Sequence, residues 1–155
     1  MGKGSNAGIN EANVSNWLAD RTNVVGELTF QIVTHGRSNL TYILEDETNT
    51  KWILRRPPTG HVLASAHDMN REYKIISALG KSNVPVPGAI GMCQDEAVTG
   101  ASFFVMDFVE GNIIKDLADA QQFSPEERKI QSKSLVEVLS TLHKVNPEEV
   151  GLGDL

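Results

Sequence analysis

Arg55 and Glu72 are the charged residues of this chain whose positions are hardest to explain as ordinary surface. The segment 51–56, Lys-Trp-Ile-Leu-Arg-Arg, alternates so that Ile53 and Arg55 share one face of a strand, with Trp52, Leu54 and Arg56 on the other. Further on, Met69, Ile76 and Leu79 recur at helical spacing, and Glu72 lies on their stripe. A carboxylate on a core-facing stripe is costly unless it is paired. A strand that turns Ile53 towards that helix turns Arg55 the same way, so an Arg55–Glu72 ion pair would answer both problems. Such a pair is chemistry for phosphate: in kinases a third-strand cation bound to a helix carboxylate holds the α- and β-phosphates of a nucleotide. The alternative is a solvated Glu72 at the stripe's edge and an Arg55 that is simply a surface residue.

A second candidate lies upstream, in Thr34-His35-Gly36-Arg37-Ser38-Asn39. Backbone N–H groups around Gly36, with the Ser38 and Asn39 side chains, could cradle a phosphate. Arg37 would add positive charge, which a phosphate ligand needs locally in a chain of net charge -6. With one glycine this is neither a Walker loop nor a full protein-kinase glycine loop. An ordinary hairpin turn is the competing reading.

The elements that must hold these residues can be read from periodicity. Residues 1–9 are rich in Gly, Ser and Asn and read as a flexible start. A short helix is expected over 10–21, with Val14, Trp17 and Leu18 on one side. Alternation predicts strands over 27–34 and 39–45 around the glycine turn, and a third over 51–56, stopped by Pro57-Pro58. A helix follows over 65–79, opened by Ser65 with Asp68 as a capping box and closed by Gly80. Val84-Pro85-Val86-Pro87 is an extended linker. Strands over 88–94 and 101–109 flank a turn at Asp95–Gly100, and a short helix is expected over 112–119. Ser124-Pro125-Glu126-Glu127 supplies an N-cap, a proline at the first helical position and a box-closing Glu for a long helix to His143. Its core stripe is Ile130, Leu135, Leu139 and Leu142. The fold class is therefore α+β: a five-stranded antiparallel sheet with one inserted helix, the arrangement of a protein-kinase-like N-terminal lobe, followed by the first helices of a C-terminal lobe.

Composition narrows the partners. The acidic balance leaves no basic footprint for nucleic acid or an anionic membrane surface. No apolar run is long enough to span a bilayer, and the N-terminus has no signal-peptide pattern. Cys93 is the lone cysteine, which fits a reducing, cytoplasmic setting. The histidines at 35, 61 and 67 lack close metal-ligand spacing, and His143 reads as a helix-end residue.

Taken in order, six segments carry a resemblance. They are Gly36-Arg37-Ser38-Asn39-Leu40-Thr41-Tyr42, Trp52-Ile53-Leu54-Arg55-Arg56-Pro57-Pro58, Ala66-His67-Asp68-Met69-Asn70-Arg71-Glu72-Tyr73, Val84-Pro85-Val86-Pro87, Phe104-Val105-Met106-Asp107-Phe108-Val109-Glu110-Gly111 and Leu142-His143. From about residue 10 to the end, the chain resembles the aminoglycoside phosphotransferase (choline-kinase-like) family, in the branch associated with acyl-CoA dehydrogenases. The resemblance implies ATP and Mg²⁺ as cofactors and a hydroxyl of a small molecule as acceptor. It implies that Gly36, Arg37, Ser38 and Asn39 form the nucleotide loop, and that Arg55 stands where many relatives have the phosphate-binding Lys, with Glu72 as its helix partner. It implies that Met106 lines the pocket, while Asp107, Phe108 and Val109 form the hinge whose backbone groups bond adenine.

The family's catalytic loop, His-Gly-Asp followed by a metal-binding Asn, should come after the long helix. Asp107-Phe108-Val109 precedes that helix, and Gly153-Asp154 has Leu152 where the histidine should be. No residue of the chain is therefore expected to be catalytic or to ligate the metal. The expected organisation is a flexible start (1–9), a kinase-like small lobe (10–109) and the beginning of a truncated large lobe (110–155), whose exposed helix stripe should promote self-association. The enzyme-fragment reading stands beside two others: a non-catalytic nucleotide-binding or interaction module, and a small structural protein without a ligand.

Overall fold

The computed structural model describes residues 8–33, 39–60 and 68–155. Along them run α1 (Glu11–Ala19), β1 (Thr29–Ile32), β2 (Leu40–Glu45), β3 (Lys51–Arg56), α2 (Met69–Leu79), β4 (Ala89–Cys93), α3 (Glu96–Thr99), β5 (Phe103–Asp107), α4 (Leu117–Gln121) and α5 (Pro125–His143). The strands form one sheet in the order β1-β2-β3-β5-β4, and every neighbouring pair is antiparallel. The meander of the first three strands, the inserted helix and the closing pair are the α+β class expected from the sequence.

Two compact units divide the chain, residues 1–77 with 87–108 and residues 78–86 with 109–155. The first holds the sheet. Alternation gives that sheet two unlike faces. On one, Tyr42, Leu44, Trp52, Leu54, Phe103 and Val105 are buried together with Val14 and Leu18 of α1. Asn10 caps α1 by accepting the Asn13 N–H. The Asn13 carboxamide then donates to the carbonyls of Ala97 and Val98, tying α1 to α3. Trp17 meets Phe103 edge-on at 5.0 Å.

Arg56 is the exception on this face. It is buried, its Nε donates to the Pro57 carbonyl at 3.2 Å, and its Nη1 donates to that of Thr99 at 3.3 Å. Burial lowers its pKa, an effect that Tyr42 partly offsets.

Several boundaries differ from the sequence expectation for local reasons. Helix α2 begins at Met69 because Asp68 is the cap: its carboxylate accepts the Arg71 N–H and its carbonyl the Glu72 N–H. Ser65 lies outside the described residues. The Asp95–Gly100 turn holds the one-turn helix α3, capped by Asp95 and closed by Gly100 at φ 79°. The helix expected over 112–119 forms later, because Asp116 supplies the N-cap that accepts the Asp119 N–H.

In the second unit, α5 opens with the expected reciprocal capping box between Ser124 and Glu127, with Pro125 in its first turn. Its apolar residues Ile130, Leu135, Leu139 and Leu142 are exposed.

Candidate functional site

The sheet's second face holds Arg55 and its ion pair with Glu72. Register puts Arg55 between Thr41 of β2 and Phe104 of β5, and Ile53 between Ile43 and Met106. Helix α2 lies over the Arg55 end, where Tyr73 packs on Phe104 with ring centroids 5.9 Å apart. Starting the helix at Asp68 places Glu72 one turn in, beside the strand. Arg55 Nε stands 3.0 Å from Glu72 Oε2, with both side chains about one third exposed (29% and 34%). The contact is an ion pair rather than a directed hydrogen bond, because the buried Nε–H is not aligned with an acceptor.

The other carboxylate oxygen is also held. Asn39 Nδ2 donates to Glu72 Oε1 at 2.6 Å, and Asn39 is itself buried. No hydrogen bond from the two terminal amino groups of Arg55 is found among the described residues. The fork of the guanidinium is thus open while its stem is fixed, a state suited to receiving two oxygens of an oxyanion.

Beside this fork the face turns apolar. Ile43, Ile53 and Met106 are half-buried neighbours on three adjacent strands. Their packing is incomplete, unlike that of the fully buried residues on the opposite face, which leaves an apolar surface that a flat ring could cover. Beyond Ile53 the face ends in Lys51, which pairs with Glu45 at 3.7 Å and lies 5.7 Å from the centre of the Phe108 ring. At the exit of β5, the Asp107 N–H is already donated to the Gly88 carbonyl at 2.8 Å, so that group is not open to a ligand. The N–H groups of Phe108 and Val109 have no partner among the described residues.

The structure therefore brings together Asn39, Arg55 and Glu72, and sets Met106 on the same face. Asp107 and Phe108 stand at the strand's end, and Val109 is exposed and belongs to the second unit. Gly36, Arg37 and Ser38 lie outside the described residues. Asn39 turns its carboxamide NH₂ to the Glu72 carboxylate. Ile43 and Ile53 were not singled out as site residues by the sequence. Their signal was present in the alternation that puts them on the Arg55 face, but an isoleucine in a strand carries no chemical mark of its own. Among the described residues no three His, Cys, Asp or Glu side chains converge as metal ligands, and no helix is long and apolar enough to cross a membrane.

Comparison with known proteins adds four findings. The profile of a family described as the phosphotransferase enzyme family matches residues 29–155. The chain is similar to human acyl-CoA dehydrogenase family member 11, at 38% identity over 125 residues that make up 81% of this chain and 16% of the human protein. It is similar also to mouse acyl-CoA dehydrogenase family member 10, at 31% identity over 131 residues, 84% of this chain and 12% of the mouse protein. Among solved structures, a Ralstonia eutropha protein provisionally designated an aminoglycoside phosphotransferase superposes with a TM-score of 0.75 and 28% identity, over 92% of this chain and 40% of that one. The chain thus spans a small part of the length of the curated relatives it matches.

Proposed function

This chain belongs to the phosphotransferase enzyme family, and from that premise we propose that its first unit is the nucleotide-binding part of a small-molecule phosphotransferase that moves the γ-phosphoryl group of ATP to a hydroxyl of a small metabolite. The observation that carries the reading is Arg55: a guanidinium held in an ion pair with Glu72, with no hydrogen bond from its terminal amino groups among the described residues. Two parallel N–H donors match two phosphate oxygens, and their charge offsets that of the triphosphate. The apolar surface of Ile43, Ile53 and Met106 would cover the adenine ring. The open Phe108 N–H, with the backbone of Asp107, would bond its edge.

Phosphoryl transfer of this kind rests on positioning and electrostatics more than on covalent chemistry by the protein. Arg55 contributes by orienting the phosphate chain and by drawing charge from it. Mg²⁺ would accompany ATP in this reading and offset the charge of its phosphates. In this reading no residue of the chain is assigned as a magnesium ligand or as the catalytic aspartate, since the family's catalytic loop has no match in its sequence. The same reading places the protein in the cytoplasm, without nucleic-acid or membrane partners, and gives the exposed α5 face a tendency to self-associate.

Calorimetric titration of Mg·ATP into the chain, beside Arg55→Ala, tests the proposal. Binding that the variant loses by about tenfold or more is expected from removing a charge-assisted phosphate contact. A folded parent chain with no heat of binding overturns the nucleotide role of this unit. Equal binding by parent and variant overturns the role of Arg55.

A further inference from the structure

Glu72 could hold Arg55 in two ways. In the first, both carboxylate oxygens face the guanidinium and form a two-bond fork, the geometry that arginine and carboxylate favour when nothing else intervenes. That arrangement consumes terminal amino donors. In the second, one oxygen alone meets Nε and the terminal groups stay open. The structure forms no such fork and comes nearest to the second arrangement: Oε2 is 3.0 Å from Nε as an ion pair, and no hydrogen bond from a terminal amino group is found among the described residues. The reason lies at the other oxygen, where Asn39 Nδ2 donates to Oε1 at 2.6 Å. A carboxylate only accepts, so the carboxamide must present its NH₂ to it. Asn39 is 6% exposed and sits at the entry to β2, whose pairing with β3 fixes its height relative to Arg55.

We propose that Asn39 is a positioning residue: by holding Oε1 of Glu72 it limits the carboxylate to a single contact with Arg55 Nε and keeps the terminal amino groups of Arg55 open for phosphate. This rests on the nucleotide reading for its purpose, but the geometric claim is independent of it. The effect is specific to arginine. A lysine at position 55 would offer one compact ammonium with interchangeable protons, and rotating Glu72 would then change little.

The test reads Arg55 directly. In ¹⁵N-labelled chain, the Arg55 guanidinium signals, identified by their loss in Arg55→Lys, are expected to show freely rotating terminal amino groups. In Asn39→Ala the carboxylate swings to the fork, rotation about Cζ–Nη slows, and separate terminal signals emerge. In Asn39→Ala with Glu72→Gln, where no carboxylate fork can form, fast rotation returns. Where the alanine variant does not fold, Asn39→Ser serves instead, since it keeps a small polar group at the buried position without the reach of the carboxamide. An Arg55 spectrum unchanged by the loss of Asn39 overturns the proposal. Mg·ATP titration supplies the second readout: Asn39→Ala weakens binding about tenfold in the parent background and less than about twofold in the Arg55→Lys background, since only the fork loses directed donors. Equal losses in the two backgrounds mark a merely structural residue and overturn it as well. A parent chain that binds no Mg·ATP removes the nucleotide reading, and the Arg55 spectrum then decides the geometric claim alone.

Discussion

Asp46 is buried in the turn between β2 and β3, and its carboxylate organises that turn. Oδ1 accepts the Thr48 hydroxyl at 2.7 Å and the amides of Thr48 and Thr50 at 2.9 and 3.0 Å, while Oδ2 accepts the Val25 amide at 3.0 Å. Removal from water pushes its pKa up, but these four bonds together outweigh that and hold it below the ordinary carboxylate value. A carboxylate depressed by folding stabilises the folded state fully above its unfolded pKa of about 3.9, and that contribution is lost as pH falls through the lower, folded value. Asp46→Asn should therefore be less stable than the parent at neutral pH, and the gap should close in acid, below about pH 4. Urea melts across that range measure it, and a gap that stays constant with pH would show that the charge of Asp46 is not what the turn uses. The consequence reaches the site, because this turn sets the β2–β3 register that puts Arg55 opposite Thr41. A slip of one residue would bring Arg56 to the face of Glu72 instead. At this scale the sequence was partly legible. Arg55 and Glu72 stood out because each broke a pattern. Asn39 gave no sign of its partner, since its bond to Glu72 joins a strand entry to a helix far along the chain, and no local periodicity encodes that meeting.

The element that decides where Glu72 stands is α2, and its register is set at its first residue. Asp68 caps it through the Arg71 amide, and Tyr73 on Phe104 fixes its rotation against the sheet. Asp68→Ala should cost about 1 kcal/mol, the usual value of an N-cap, and Asp68→Ser should recover most of it. Chemical denaturation reads the stability. The same alanine variant should also weaken Mg·ATP binding, since a frayed first turn loosens Glu72 within it. Full affinity in the alanine variant would mean that Glu72 is held by Asn39 and Arg55 without help from the helix start. The strands were legible because a sheet with one sealed face writes a strict alternation into the sequence, as in Tyr42, Leu44, Trp52 and Leu54. Helix starts were less so. Ser65 and Asp68 are both good caps by type, and only the fold shows which aspartate or serine accepts an amide. The helix expected over 112–119 shifted for the same reason, to the position that Asp116 caps.

Across the whole molecule, exposed large apolar side chains concentrate in the second unit: Val109, Ile113, Ile114 and Leu117 precede α5, and Ile130, Leu135, Val136, Leu139 and Leu142 lie on it. Leu135 is 70% exposed and Leu139 47%, although both fall on the stripe that periodicity marked as core. The helical stripe was thus legible, and its residues are exposed. Apolar surface of this extent lowers its free energy by leaving water, and a second copy offers the same surface in return. The chain's net charge of -6 acts against that approach by mutual repulsion. The two forces predict a distinctive salt dependence: association should strengthen as added salt screens the repulsion, since the apolar contact is not weakened by it. Light scattering over increasing chain concentration, at low and at high salt, follows this directly. Leu135→Glu combined with Leu139→Glu should leave a monomer at both salt levels, because two carboxylates on the stripe meet their counterparts across the contact. Its Mg·ATP affinity should match the parent's, as neither residue belongs to the unit that carries Arg55. A parent chain that remains monomeric at high concentration and high salt would show that the exposed stripe does not drive self-association, and would remove this face from the account of how the chain behaves in solution.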